Sequence, residues 1–186
     1  MGINSKVKAV FLDRDGVLNK PVVRDGKPYP PKCMAELEII NGVKEGVQQL
    51  KACGFILILV TNQPDVARGT TSAELVSEMN SFLQRNLILD DVYCCMHDST
   101  DNCTCRKPKP GMIISAAEKW NIDLSLSYII GDRWRDIETG KNAGIKTVLI
   151  DYKYDEKYVE PDFVCSSFME AVERINSNEH YSHFKS

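Results

Sequence analysis

A three-layer α/β sandwich built on a mainly parallel sheet is the fold class this sequence predicts. Short apolar runs alternate with segments of helical spacing along the whole chain. Three of the runs end on polar residues, namely Asp13-Arg14-Asp15-Gly16, Thr61-Asn62-Gln63 and Gly131-Asp132. A length of 186 residues suits one such domain with a full core and leaves little room for a second.

Val7 to Leu12 reads as a short buried strand that ends on Asp13. Pro21 to Lys32 is a polar loop with four prolines and Gly26, and no regular structure is expected there. Gly42 to Cys53 carries Val43, Val47 and Leu50 at helical spacing, with Gly54 as the stop. Phe55 to Val60 is a second buried strand. Thr71 to Leu87 is a helix capped by Ser72, with Leu75, Met79, Phe82 and Leu83 on its apolar face. Val92 to Cys94 is a short strand leading into a cluster of cysteines. Pro110 to Trp120 is a helix with Ile113, Ala116 and Ala117 turned inward. Ser127 to Ile130 is a strand, and Asp136 to Ala143 is a helix stopped by Gly144. Thr147 to Ile150 and Phe163 to Cys165 are two further strands, and Ser167 to Ile175 is the last helix. The polar stretch from Asn176 to Ser186 is expected to fray, with His180 and His183 solvated. This order is Rossmann-like, a single domain over 1–186 with no internal repeat and no linker.

The balance of charge excludes some functions. Net charge is −3, so there is no global basic footprint for nucleic acid. The longest apolar run, Phe55 to Val60, is too short to cross a bilayer. The first residues lack the apolar stretch of a signal peptide, and a cytoplasmic monomer without membrane or nucleic-acid partners is the expectation. Seven cysteines without a signal peptide argue against a disulfide framework.

In open parallel sheets the ligand site lies beyond the carboxyl ends of the strands. The three polar strand ends would therefore converge on one rim, with Arg106-Lys107-Pro108 beside them. A carboxylate there is a competent nucleophile toward phosphorus, and Asp13 is placed for that role. Asp15 is two residues on, close enough to protonate a leaving oxygen and later activate water. Asp13 and a phosphate would repel, so a divalent cation is required, and Mg²⁺ takes oxygen ligands. Asp13, the backbone carbonyl of Asp15 and Asp132 can supply them. Lys107 and the hydroxyl of Thr61 would hold the phosphoryl oxygens. An isolated D-x-D-G carries little, since loops are rich in Asp and Gly. All the pieces in order at strand ends carry far more.

Cys95-Met96-His97 is followed by Cys103-Thr104-Cys105. Three thiolates and an imidazole suit tetrahedral Zn²⁺, and four protein ligands leave no open position for substrate. The loop 94–105 is thus expected to be a structural zinc clasp beside Arg106 and Lys107, with Cys94 pointing elsewhere. Cys33, Cys53 and Cys165 are expected to be packing residues.

These motifs resemble those of the haloacid dehalogenase (HAD) superfamily. Phe11 to Asn19 looks like its first motif, Thr61 to Gln63 its second, Arg106 to Met112 its third, and the run around Asp132 its fourth. With the cysteine insert, the chain is similar to the D-glycero-D-manno-heptose 1,7-bisphosphate 7-phosphatases and the histidinol-phosphate phosphatases. The resemblance implies a phosphatase with almost no cap domain, working through an aspartyl-phosphate on a small phosphorylated metabolite. It implies Asp13 as nucleophile, Asp15 as acid/base, Asp13, Asp15 and Asp132 as Mg²⁺ ligands, and Thr61 and Lys107 at the phosphoryl group. Arg14, Asn62, Gln63, Arg106 and Arg133 are the expected substrate contacts, and Cys95, His97, Cys103 and Cys105 the expected Zn²⁺ ligands. Val66 to Gly69 looks like the heptose branch, whereas the short spacing from His97 to Cys103 looks more like the histidinol branch, though short-loop members of the heptose branch are similar too. The loop 21–32 lacks the Gly-Tyr pair usual in the heptose branch. Arg24 is either a replacement contact for a second phosphate or a solvated charge.

Overall fold

The computed structural model describes residues 6–24 and 27–183, without the side chains of 23, 24, 27 and 180–183. Six parallel strands form one sheet: β1 (Lys8–Leu12), β4 (Phe55–Asn62), β5 (Asp91–Cys95), β6 (Tyr128–Gly131), β7 (Lys146–Ile150) and β8 (Phe163–Cys165). Their spatial order is β5-β4-β1-β6-β7-β8. The chain starts in the middle, winds one way through β4 and β5, and returns to wind the other way. The switch of direction falls between β1 and β6, where such sheets open a crevice.

The central strands are apolar on both faces because helices cover both. Period-two alternation splits them between two cores. Val10, Leu12, Leu57 and Leu59 pack with α1 (Val43–Ala52), α2 (Ala73–Leu87) and α5 (Phe168–His183). Ala9, Phe11, Ile58 and Val60 point the other way, onto α3 (Gly111–Trp120) and the end of α4 (Trp134–Ala143). Ser72 caps α2 as expected, accepting a hydrogen bond from the Leu75 amide. The buried face of that helix runs through Val76, Met79, Asn80, Leu83 and Leu87. Met79 and Leu83 lie on it as expected and Phe82 packs against the core partly buried, whereas Val76 is buried in place of Leu75, because the crossing with the sheet, and not the pattern alone, sets which side is down.

Three expectations are corrected. The proline-rich stretch 21–32 is not devoid of regular structure. It holds a two-stranded antiparallel hairpin, β2 (Val22–Arg24) and β3 (Lys27–Tyr29), with Val22 opposite Tyr29. An Asp-Gly pair between two such runs in the sequence favours a hairpin, and Pro28 is tolerated because this ribbon has no further neighbour among the described residues. The last helix does not stop at Ile175. It runs to His183, docked where Glu179 pairs with Lys8 at 2.7 Å and accepts from the Tyr128 hydroxyl at 3.0 Å. Cys33 is exposed and is no packing residue, while Cys165 is buried as expected. The side chains of Arg24, His180 and His183 lie outside the described residues. No helix among the described residues is long and apolar enough to cross a membrane.

Candidate active site

Register places the reactive residues. Leu12 pairs with Leu59 on one side and Ile130 on the other. Asp13, the next residue, therefore emerges between the ends of β4 and β6, and its amide is fixed by the Ile130 carbonyl at 3.0 Å. Thr61 and Asn62 end β4, and Asp132 follows Gly131 at the end of β6. Gly16 has a φ of +85° and lies so close to Asp132 that a Cβ would meet Oδ2 at 2.1 Å. Only glycine lets the loop after β1 close onto Asp132.

Lys107 is the hub. Its ammonium is buried and donates to Asp13 Oδ1 at 2.7 Å, to Asp136 Oδ1 at 2.5 Å and to the Val60 carbonyl at 3.0 Å. Burial works against its charge, but Asp13 and Asp136 outweigh it and hold its pKa above the usual range. Its backbone is locked to β4, with the Asn62 side chain donating to the Lys107 carbonyl at 3.1 Å and accepting from its amide at 3.0 Å.

Asp13 is pushed up to about 7, first by burial and then by the neighbouring Asp136 carboxylate. Asp132 is raised well above the usual carboxylate range, by burial and then by Asp13 and Asp136. The carboxylate oxygens of Asp13, Asp132 and Asp136 lie within 4.8 Å of one another, and Asp132 Oδ1 is buried with no hydrogen-bond partner among the described residues. One ammonium cannot balance three buried carboxylates. An all-oxygen donor set with an orphaned acceptor is what a hard divalent cation such as Mg²⁺ fits.

Asp136 went unrecognised among the sequence candidates. Its signal was a second carboxylate four residues after Asp132, in the first turn of the following helix. Gly131 makes its approach possible, since a Cβ there would meet Asp136 Cβ at 2.1 Å.

Asp15 is held on all sides. Arg14 reaches both of its oxygens, at 3.0 Å in the closest contact, while Asn19 donates to Oδ1 at 3.0 Å and Gln63 to Oδ2 at 2.9 Å. Gln63 also donates to the Thr61 hydroxyl at 2.9 Å. Arg14 is thereby a correction: the sequence placed it on substrate, but it is buried, pairs with Asp15 and donates to Asn80 at 3.3 Å. It lies in the bend just after β1, whose turn is closed by the Leu18 and Asn19 amides on its carbonyl, and its guanidinium reaches α2 at Asn80.

A cleft of about 340 Å³ opens above these groups. Asp13, Asp15, Thr61, Asn62, Gln63, Arg106, Lys107, Asp132 and Arg133 all border it, together with Tyr29 and Pro30 from the hairpin end and the unforeseen Asp65, Arg68 and Arg135. Arg133 donates to Glu156 at 2.7 Å, and Arg68 to Asp98 at 2.7 and 2.8 Å. Tyr152, in the connection after β7, donates its hydroxyl to the Gly16 carbonyl at 3.0 Å.

Beside the cleft, ligand atoms of Cys95, His97, Cys103 and Cys105 gather within 4.8 Å of one another. Cys95 Sγ lies 3.7 Å from Cys103 Sγ and 3.6 Å from His97 Nδ1, and Cys105 Sγ lies 3.3 Å from that nitrogen. Tetrahedral zinc with its usual bond lengths separates its sulfurs by about 3.8 Å, so the donors stand where that ion would hold them. Burial and then Cys105 push the Cys95 thiol up to about 12. Cys94 is outside the group, as expected. Arg106 donates to the His97 carbonyl at 3.1 Å and so ties this loop to the cleft wall.

A HAD-hydrolase-like family model matches residues 104–171. The chain is 39% identical over 155 residues to the D-glycero-β-D-manno-heptose-1,7-bisphosphate 7-phosphatase of Pasteurella multocida, covering 77% of this chain and 81% of the relative. It is 34% identical over 174 residues to the protein of the same name from Helicobacter pylori strain 26695, covering 90% and 97%. Among solved structures it resembles the D,D-heptose 1,7-bisphosphate phosphatase of B. bronchiseptica, complexed with magnesium and phosphate. That match has a TM-score of 0.79 at 27% identity and covers 92% of this chain and 99% of the other. With the motifs in register and the carboxylates convergent, this chain is a HAD-superfamily phosphatase and belongs to the D-glycero-β-D-manno-heptose-1,7-bisphosphate 7-phosphatase family.

Proposed function

We propose that this phosphatase removes the 7-phosphate of D-glycero-β-D-manno-heptose 1,7-bisphosphate, using Mg²⁺ and an aspartyl-phosphate on Asp13. The observation that carries the reading is the meeting of Asp13, Asp15, Lys107, Asp132 and Asp136 at one rim in a relative of these enzymes. Asp13, the carbonyl of Asp15 and Asp132 would hold Mg²⁺, joined by Asp136. The ion supplies charge neutralisation between Asp13 and the phosphate when bound.

A carboxylate oxygen of Asp13 attacks phosphorus, and the bond from phosphorus to the sugar oxygen breaks. Asp15 gives its proton to that leaving oxygen. The same carboxylate then takes a proton from water as the water attacks the aspartyl-phosphate, freeing inorganic phosphate and Asp13. Lys107 and Thr61 steady the phosphoryl oxygens, and Arg14, Asn19 and Gln63 keep Asp15 aimed. Asn62 acts by fixing the Lys107 backbone. Arg106 and Arg133 border the space for the rest of the substrate.

Zn²⁺ on Cys95, His97, Cys103 and Cys105 would be structural. The thiols, all unpaired, suit a reducing compartment, which supports a cytoplasmic enzyme, and a monomer is the simplest assembly. Histidinol phosphate is the second reading, favoured by the short His97–Cys103 spacing and by Asp65 in the cleft wall.

The test is phosphate release from both anomers of heptose 1,7-bisphosphate, fructose 1,6-bisphosphate and histidinol phosphate, with and without Mg²⁺. The expected result is Mg²⁺-dependent turnover with the highest kcat/KM on the β-heptose bisphosphate. Preference for histidinol phosphate would overturn the substrate, and turnover unaffected by Asp13→Asn would overturn the chemistry.

A further inference from the structure

The cations around the cleft differ in how much charge they have left to offer. Lys107 is held between Asp13 and Asp136. Arg68 is committed to Asp98, with Asp65 also in range at 3.4 Å. Arg133 is committed to Glu156, whose other oxygen accepts from the Trp134 amide at 2.9 Å. That second bond seats Glu156 at the start of α4, so it is a fixed counter-ion and no passing contact. Arg135 is different. Its guanidinium makes no ion pair and no hydrogen bond with any described residue, and it rests 4.6 Å over the Trp134 ring. Lys157 covers the same ring, also at 4.6 Å, so the indole carries a cation in each contact. Arg135 is half-buried and borders the cleft next to Arg106 and Arg133. Burial, followed by repulsion from Arg133 and Arg106, pulls its pKa down.

Four guanidinium groups thus border one cleft, and among the described residues only Arg68 and Arg133 have a carboxylate partner, which leaves Arg106 and Arg135 without one. A cluster of like charge without its anion is unfavourable, and it becomes favourable when a dianion enters. Arginine is suited to this because its planar fork meets phosphate oxygens two at a time.

We propose that Arg135, with Arg106, grips the second phosphate of the substrate, the one that is not cleaved, and so makes the enzyme select bisphosphates over monophosphates. Arg133 is withheld from this task by Glu156. The inference rests on the sugar-bisphosphate reading above and assigns its specificity to Arg135, a residue within the fourth-motif run that was not among the expected substrate contacts. Trp134 acts as a platform that keeps the Arg135 guanidinium extended along the wall, where its donors are exposed to the cleft.

The experiment compares kcat/KM on heptose 1,7-bisphosphate with that on heptose 7-phosphate, and on fructose 1,6-bisphosphate with that on fructose 6-phosphate, for wild type, Arg135→Gln and Arg135→Lys. Melting temperatures check that each variant folds. Wild type is expected to prefer the bisphosphate of each pair that it turns over. Arg135→Gln is expected to lose about 10- to 100-fold on the bisphosphate, the value of a charge-assisted hydrogen bond, through a raised KM. Its turnover of the monophosphate should be unchanged, and Arg135→Lys should recover part of the loss. A bisphosphate preference that survives Arg135→Gln, or an equal loss on both members of a pair, would overturn the role of Arg135 and leave the heptose reading standing. Wild type without any bisphosphate preference would overturn it too. Failure of the heptose reading is a separate outcome, seen as wild-type turnover of the fructose pair alone.

Discussion

At the scale of single residues, Lys107 and the carboxylates around it dominate. Asp13→Asn removes the nucleophile while keeping the shape of the side chain, so kcat should fall by roughly 10⁴-fold or more with the fold intact, read by phosphate release beside a thermal melt. Lys107→Met leaves Asp13 and Asp136 buried without a counter-ion. Breaking a buried pair in this way costs about 3–5 kcal/mol, measurable by urea unfolding of metal-free protein at neutral pH. The same residues set a pH dependence. The Asp13 carboxyl is raised from 3.8 to about 7, so between those values the folded state keeps a proton that the unfolded chain has released. In the absence of metal, stability should therefore fall as pH rises through this window. Asp13→Asn should flatten much of that slope in melts at pH 5 and pH 8, and a variant with the wild-type slope would place the effect elsewhere. Much of this was visible in the chain, since Asp13, Asp15, Lys107 and Asp132 sit in recognisable runs. Arg14 and Asp136 were misjudged or unnoticed because their roles depend on which way a side chain turns once neighbouring strands are in place.

At the scale of elements, the cap of α2 and the cysteine loop make separate claims. Ser72 is exposed and accepts from the Leu75 amide, so Ser72→Ala should cost about 1 kcal/mol with no effect on turnover. The loop carrying Cys95 to Cys105 should bind about one Zn²⁺ per chain, detectable by elemental analysis of protein prepared without chelators. Cys103→Ser should abolish the zinc and lower the melting temperature. Because Arg106 bonds to the His97 carbonyl and Lys109 to the Cys103 carbonyl, that loss should also loosen the third motif and lower kcat/KM. Strands and helices were legible where apolar spacing was long and regular. The β2–β3 hairpin was hidden by its prolines, which usually signal irregular chain. The last two turns of α5 were hidden by polar residues that look solvated until Lys8 and Tyr128 are placed beside them.

At the scale of the whole molecule, a chain of net charge −3 presents a cleft bordered by Arg68, Arg106, Arg133, Arg135 and Lys107. The field at that opening is local, and salt will screen its half-exposed arginines more than the buried Lys107. Raising ionic strength should therefore increase KM for a bisphosphate more than for the matching monophosphate, measured as parallel salt titrations. The connection after β7 contributes to the same opening from far along the chain, through Glu156 on Arg133 and Tyr152 on the Gly16 carbonyl.

The sequence by itself determined the α/β order, the strand ends that carry the reactive carboxylates, and the four zinc-type ligands. These are properties of local periodicity and short spacing, which need no knowledge of distant neighbours. Only the tertiary structure decided that Asp136 joins the carboxylate cluster, that Arg14 serves Asp15, and that Glu156 occupies Arg133 while Arg135 pairs with none of the described residues. Charge balance in a cleft is a sum over residues far apart in the chain, such as Asp13 and Lys107 at a separation of 94 positions, and that sum exists only after the sheet has brought them within a few ångströms.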